Sequence, residues 1–179
     1  DIITSPKGLE EYLHSYISVL PYNELGAAAA AYNADEKELC RLDEIYSAVK
    51  TPFEIRSGSE KVTRRFFKIC NNGRESFTGL YKSLTEQGIC KGHQCIAYGL
   101  YMRDNGIELS EGLAVYGYSI CSAIVTNCVK LVPLSQLAGQ KILGESFELI
   151  SSASEKALFT DINDIGISGA GFDLRAMQH

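Results

Sequence analysis

With 179 residues, of which 45% are apolar and 22% charged, the chain has the length and composition of one ordinary globular domain with a sizeable core, and extensive disorder is excluded. Seventeen Lys and Arg against 22 Asp and Glu leave a net charge of -5, and the cations are scattered among acids, so no basic face is offered to DNA or RNA. Six cysteines without a secretory leader are expected to be thiols rather than a disulfide framework.

Helical patterns follow one another along the chain, with no alternation typical of strands. Ser5 and Pro6 open the first helix as N-cap and first helical residue, Leu9, Leu13, Tyr16, Ile17 and Leu20 form its apolar stripe, and Pro21 closes it. Glu24 to Tyr32 holds five consecutive alanines, which favour a helix and permit close approach of a neighbour's backbone. Asp35 caps a third helix, in which Leu39, Leu42, Ile45 and Tyr46 recur at helical spacing. A fourth helix is predicted from about Glu54 to Cys70 and a fifth from about Arg74 to Glu86, with Asn71, Asn72 and Gly73 as the turn between them.

The sixth helix spans roughly Gly92 to Arg103 and ends at Asp104, Asn105 and Gly106. Ser110 with Glu111 begins a long central helix running to about Leu131, and Pro133 ends it. A further helical stretch covers about Ser135 to Phe159, with a break expected near Ser151, Ser152 and Ser154; Ile165 to Phe172 reads as a mobile connection. The pattern predicts an all-α fold: a single-domain multi-helix bundle over residues 1–179, built around the long helix at about 110 to 132.

Gly112 to Val129 contains no charged residue and is long enough to raise the question of a membrane span. Ser119, Ser122, Thr126, Asn127 and two tyrosines interrupt it, so a helix inside a soluble bundle is expected instead, with Cys121 and Cys128 as small core residues. The opening DIITSPKGLEEYL lacks the apolar run of a secretory leader, and no lipidation motif is visible, so the expected location is the cytoplasm, with no membrane partner.

Signals for catalysis are thin. Two of the three histidines, His14 and His179, lie near the chain ends, and no nucleophile-elbow, P-loop, zincin or dinucleotide-binding motif is present. The expectation is that the chain is not an enzyme; a Cys-dependent enzyme is the weaker alternative. Cys90, His93 and Cys95 form the one cluster with metal-ligand chemistry, suited to zinc or nickel, but no fourth ligand completes it, so no metal is expected there, and a protein that binds nickel or zinc directly through these three residues is the alternative. Arg56, Glu60, Lys61, Arg64, Arg65 and Lys68 read as a solvated helix face, with docking of an acidic partner as the alternative.

The segment IVTNCVKLVPLSQLAGQKIL joins the apolar helix to a polar corner, Lys130 to Lys141. A buried amide needs hydrogen-bond partners, so such a corner is either an internal network or a surface for a partner. Together with HQCIAYGLYMRDNGIELSEGL it resembles the urease accessory protein F (UreF) family. The matching positions are His93, Gly99, Gly106, Lys130, Leu131, Pro133, Leu134, Gln136, Gly139 and Gln140, with Lys141 continuing the corner; the ending FDLRAMQH matches through Asp173, Met177 and His179, and Arg56 and Ser59 match an earlier segment. The resemblance is read from about Thr51 onward, the first fifty residues matching in helical character only. Thr63 stands where the family has glycine, and Ala138 where an acidic residue often stands. The family's opening signatures, Gly-x-x-x-His-Ser and Gly-Leu-Glu, and its C-terminal tail are expected to be missing, which makes the chain a fragment with a weakened UreH contact.

The resemblance implies an all-helical homodimer without chemistry of its own. Such a protein assembles with UreH (also called UreD) and the GTPase UreG to deliver nickel to the urease apoprotein, modulating the GTPase. It implies no firmly bound cofactor, the nickel being handled by the complex. The long helix is expected to contribute to dimerisation through Tyr116 and Tyr118, aromatic anchors of the kind favoured at interfaces. Lys130 is expected to face outward to a partner, while Gln136 and Gln140 satisfy backbone groups inside the corner.

Overall fold

Ser5 starts the first helix as its residue type predicts: its hydroxyl accepts the N–H of Gly8 at 3.1 Å, and Pro6 occupies the first helical position of α1 (Pro6–Val19). The computed structural model describes residues 3–49, 53–70, 73, 76–132 and 134–166. Leu9, Leu13 and Ile17 are the buried stripe of α1, and Pro21 ends the run inside a 3-10 turn, Leu20–Tyr22. Then come α2 (Glu24–Asn33) and α3 (Glu36–Val49). Asp35 and Glu38 form a reciprocal capping box before α3: Asp35 accepts the Glu38 N–H at 2.8 Å, and Glu38 accepts the Asp35 N–H at 3.0 Å.

The remaining helices are α4 (Phe53–Ile69), α5 (Phe77–Glu86), α6 (Gln94–Asp104), α7 (Leu109–Leu131), α8 (Gln136–Glu145) and α9 (Phe147–Ala157), followed by a 3-10 turn, Ile162–Asp164. Among the described residues there is no strand, and the fold is all-α.

The core is built on the contact between α2 and α6. Ala27, Ala28, Ala29 and Ala31 are buried, and a Cβ added at Gly99 of α6 would lie 2.2 Å from the carbonyl oxygen of Ala28. The alanine run and the glycine therefore bring two backbones together more closely than larger side chains permit. The long helix α7 packs on α9, α8, α2 and α1. Its buried residues Leu113, Tyr116, Gly117, Cys121 and Val125 recur at three- and four-residue steps. By length and apolar composition α7 could cross a membrane, yet here it is a packed element of the bundle.

Several boundaries differ from those predicted, each for a local reason. α6 starts at Gln94 rather than Gly92, because Gly92 has φ +88° and turns its N–H to Asp43. α7 starts one residue before Ser110, with Glu108 as the cap accepting the Glu111 N–H at 3.0 Å. The break between α8 and α9 falls at Ser146, not among Ser151 to Ser154: the Ser146 side chain is buried and donates back to the Ile142 carbonyl at 2.8 Å. Of the expected connection at Ile165 to Phe172, only Ile165 and Gly166 are described; Ile165 is buried, and the Gly166 N–H donates to the Tyr22 carbonyl at 2.7 Å.

Candidate functional site

Where α3, α5 and the start of α6 meet, a buried carboxylate organises the chain. Asp43 is 2% exposed and accepts three hydrogen bonds: from the Tyr81 hydroxyl at 2.5 Å, the Lys91 N–H at 2.7 Å and the Gly92 N–H at 3.1 Å. The Tyr81 oxygen in turn accepts the His93 N–H at 2.8 Å. Burial, then the Asp43 charge, pushes the Tyr81 phenol well above its ordinary range, so it remains a donor. The His93 Nε2 lies 2.7 Å from the Ser47 hydroxyl, and its ring meets the Tyr46 ring edge-on at 4.9 Å. The Gln94 N–H donates to the Ser59 hydroxyl of α4 at 3.2 Å. The amides at the start of α6 thus find partners on three other helices.

This arrangement separates the three residues with metal-ligand chemistry. Cys90 lies against Cys40 of α3, with sulfurs 3.9 Å apart, while His93 turns to Ser47 and Cys95 is carried into the core by the first turn of α6. Among the described residues no three of His, Cys, Asp and Glu gather as a metal-holding group, and the structure does not bring Cys90, His93 and Cys95 together. The thiols are poor nucleophiles where a shift is seen. Burial, followed by Asp43 and Cys40, raises Cys90; burial alone raises Cys70 and Cys128 and pushes Cys121 up to about 12.

A cavity of about 230 Å³ lies beside this junction, lined by Glu24, Tyr46, Ser59, Gln94, Cys95 and Tyr116 among others. Tyr116 is therefore a core residue. It is 5% exposed and stacks on Tyr98 with centroids 4.3 Å apart and planes 19° from parallel, which corrects its expected place as a partner anchor. Tyr118, 40% exposed, points out two residues further on, since residues i and i+2 lie roughly 200° apart around a helix of about 3.6 residues per turn. With Val115, Ser119, Ala123, Thr126, Asn127 and Lys130 it forms an uncharged exposed strip along α7 that ends in one cation.

At the corner, Lys130, Gln136, Gln140 and Lys141 are all exposed. The two glutamines therefore do not satisfy backbone groups inside the corner. Ser135 caps α8 instead, its hydroxyl accepting the Ala138 N–H at 3.1 Å, and the buried residues of α8 are Gly139, Ile142 and Leu143. A Cβ on Gly139 would lie 2.7 Å from a Val129 methyl, so this glycine sets the approach of α8 to α7. Lys141 pairs with Glu145 at 3.7 Å on the surface. Pro133, Asp173, Met177 and His179 lie outside the described residues.

The UreF family model matches residues 3–146. The chain belongs to the UreF family. Among its relatives, a urease accessory protein UreF from Actinobacillus pleuropneumoniae serotype 5b (strain L20) is 30% identical over 183 residues, covering 99% of this chain and 81% of its own length. A urease accessory protein UreF from Streptococcus salivarius (strain 57.I) is 27% identical over 185 residues, covering 100% of this chain and 78% of its own length. A third, from Paenarthrobacter aurescens (strain TC1), is 30% identical over 142 residues, covering 77% of this chain and 62% of its own.

The UreF match corrects the reach of the resemblance. It begins at residue 3, so residues 3–50 belong to it, and Gly8, Leu9 and Glu10 at the head of α1 spell the Gly-Leu-Glu signature expected to be missing. The departure from the UreF pattern at Thr63 is accommodated. Thr63 is fully buried, and its hydroxyl donates to the Ser59 carbonyl at 2.9 Å.

Sequence reasoning missed Asp43, Tyr81, Ser47 and Cys40. For Asp43 a signal existed: it sits with Leu39, Leu42 and Tyr46 at i, i+3, i+4 and i+7, an acid on the buried stripe of an amphipathic helix. Tyr81, Ser47 and Cys40 carried no such mark, being ordinary helix residues whose partners are distant in the chain.

Proposed function

We propose that this UreF-family protein is a non-enzymatic scaffold that acts in the cytoplasm. It assembles with UreH (UreD) and the GTPase UreG to deliver nickel to the urease apoprotein and modulates the GTPase. The observation that carries this reading is family membership over residues 3–146, with relatives named as urease accessory proteins. Two features of the chain support it. The polar groups at the α3–α5–α6 junction are used in holding helices together, which suits a rigid platform better than a reacting centre. The exposed strip on α7, uncharged from Val115 to Asn127, suits a self-complementary homodimer face, and Lys130 at its end gives a partner a single cation to meet.

The test is co-precipitation of UreG and UreH by the purified chain, with light scattering of the chain alone. A dimer that captures both partners, and that loses capture on Lys130→Glu while keeping its melting temperature, supports the scaffold. A folded chain that captures neither partner removes this reading.

A further inference from the structure

Cys40 and Cys90 are the one sulfur pair in contact among the described residues, and neither belongs to the features that tie the chain to its family. Cys40 is half-buried on α3, and Cys90 is 2% exposed in the turn before α6, with the two sulfurs 3.9 Å apart. Asp43 lies one turn further along α3 than Cys40, and it takes the N–H of Lys91, the residue after Cys90. Asp43 therefore fixes the turn that carries Cys90 against the helix that carries Cys40, and the two sulfurs are held facing each other.

We propose that Cys40 and Cys90 form a two-thiolate site for a thiophilic monovalent cation of the copper(I) class. The spacing separates this from a disulfide. Two metal–sulfur bonds placed in line, taken at the ~2.3 Å of a zinc–thiolate bond as an upper value, hold the sulfurs no more than ~4.6 Å apart, an opening of at most about 0.7 Å from the observed contact. A disulfide needs the sulfurs at ~2.05 Å, a closing of nearly 2 Å between a helix and a turn that Asp43 fixes through two amides. Soft thiolates select copper(I), and two ligands suffice for it, whereas zinc requires four. Binding is an exchange of protons for metal. Two S–H bonds release their protons to solvent, two S–metal bonds form, and no electron is transferred. The half-buried Cys40 gives the ion its way in. The site is independent of nickel delivery, and its failure leaves the scaffold reading untouched.

The test is titration of the full, reduced chain with copper(I), held reduced by ascorbate, against a chromophoric copper(I) chelator. One equivalent should be withdrawn from the chelator by the native chain and by Cys128→Ser, with at least a hundredfold weaker binding in Cys40→Ser and in Cys90→Ser. Retention of the native affinity by either of those two variants overturns the proposal, as does a native chain that takes no copper(I) or that binds zinc equally well. Because Cys90 is buried, circular dichroism checks that its variant folds; if it does not, the half-buried Cys40→Ser variant decides alone.

Discussion

The carboxylate of Asp43 and the hydroxyl of Tyr81, 38 positions apart in sequence, meet at 2.5 Å inside the bundle, and through them α3 and α5 hold the turn that launches α6. Leaving a buried donor without its acceptor costs about 1 to 3 kcal/mol, and Asp43 serves three donors. Asp43→Ala is therefore expected to destabilise the fold by roughly 3 to 5 kcal/mol in urea unfolding, among the larger effects a single buried substitution produces. Tyr81→Phe removes one donor and the acceptor of the His93 N–H, and should cost about 1 to 3 kcal/mol. Because the two residues share one network, the double variant should fall well short of the sum. Additive losses in the double-mutant cycle would show that the contact carries no coupling.

The glycines separate sharply by what surrounds them. A Cβ at Gly99 would sit 2.2 Å from the Ala28 carbonyl oxygen, a backbone atom that moves only if α2 and α6 part. Gly99→Ala should cost about 1 to 3 kcal/mol or more, as overpacking does. Gly58 in α4 and Gly144 in α8 have nothing within 4 Å of an added Cβ, so alanine there gains helix propensity and should stabilise by about 0.5 to 1 kcal/mol. Thermal melts of the three variants check both signs at once.

What could be read in advance was local. Ser5 with Pro6, Asp35 and the run Ala27 to Ala31 each state their purpose within a few residues, so helix starts and the close α2 packing were legible. Asp104 shows the limit. It reads as the end of α6, and it is, but its two oxygens also accept the N–H groups of Phe77 at 2.9 Å and Thr78 at 2.8 Å, capping α5 across the fold. Tyr116 and Tyr118 show another: two tyrosines two residues apart look alike in a window of apolar helix, and only the neighbours on each side decide which one is core. The corner was legible as a motif because its spacing is specific. The exposure of Gln136 and Gln140 was not, since a hydroxyl at Ser135 had already taken the capping place.

That difference between the two tyrosines predicts opposite phenotypes. Tyr116→Ala removes a buried, stacked ring and should cost about 3 to 5 kcal/mol, lowering the melting temperature by roughly 6 to 20 °C for a chain of this size. Tyr118→Glu places a charge in the exposed α7 strip and should leave the melting temperature of the subunit within a few degrees while shifting light scattering to the monomer. A Tyr118→Glu chain that stays dimeric moves the interface away from α7.

The buried thiol of Cys121 ties stability to alkaline pH. Burial pushes it up to about 12 from an ordinary 9.0, and the side chain is fully enclosed in the core face of α7. In the unfolded chain the proton leaves near pH 9; in the folded chain it stays until about 12. Between those values the unfolded state binds fewer protons, so stability falls as pH rises; below 9 the contribution is fully present. Cys121→Ala has nothing to ionise and fills nearly the same space. Its melting temperature should therefore decline less steeply than that of the native chain between pH 9 and 10, where the onset of tyrosine ionisation in the unfolded chain is shared by both proteins and leaves their difference to the thiol. Tyr16, Tyr46, Tyr81 and Tyr116, each pushed well above 10.0 by burial, add a second and steeper loss beyond that point in both proteins. Melting curves taken every half unit from pH 7.5 to 10 check the first segment. Parallel slopes for the native chain and Cys121→Ala would mean that water reaches the thiol and that the core face of α7 opens more readily than its packing indicates.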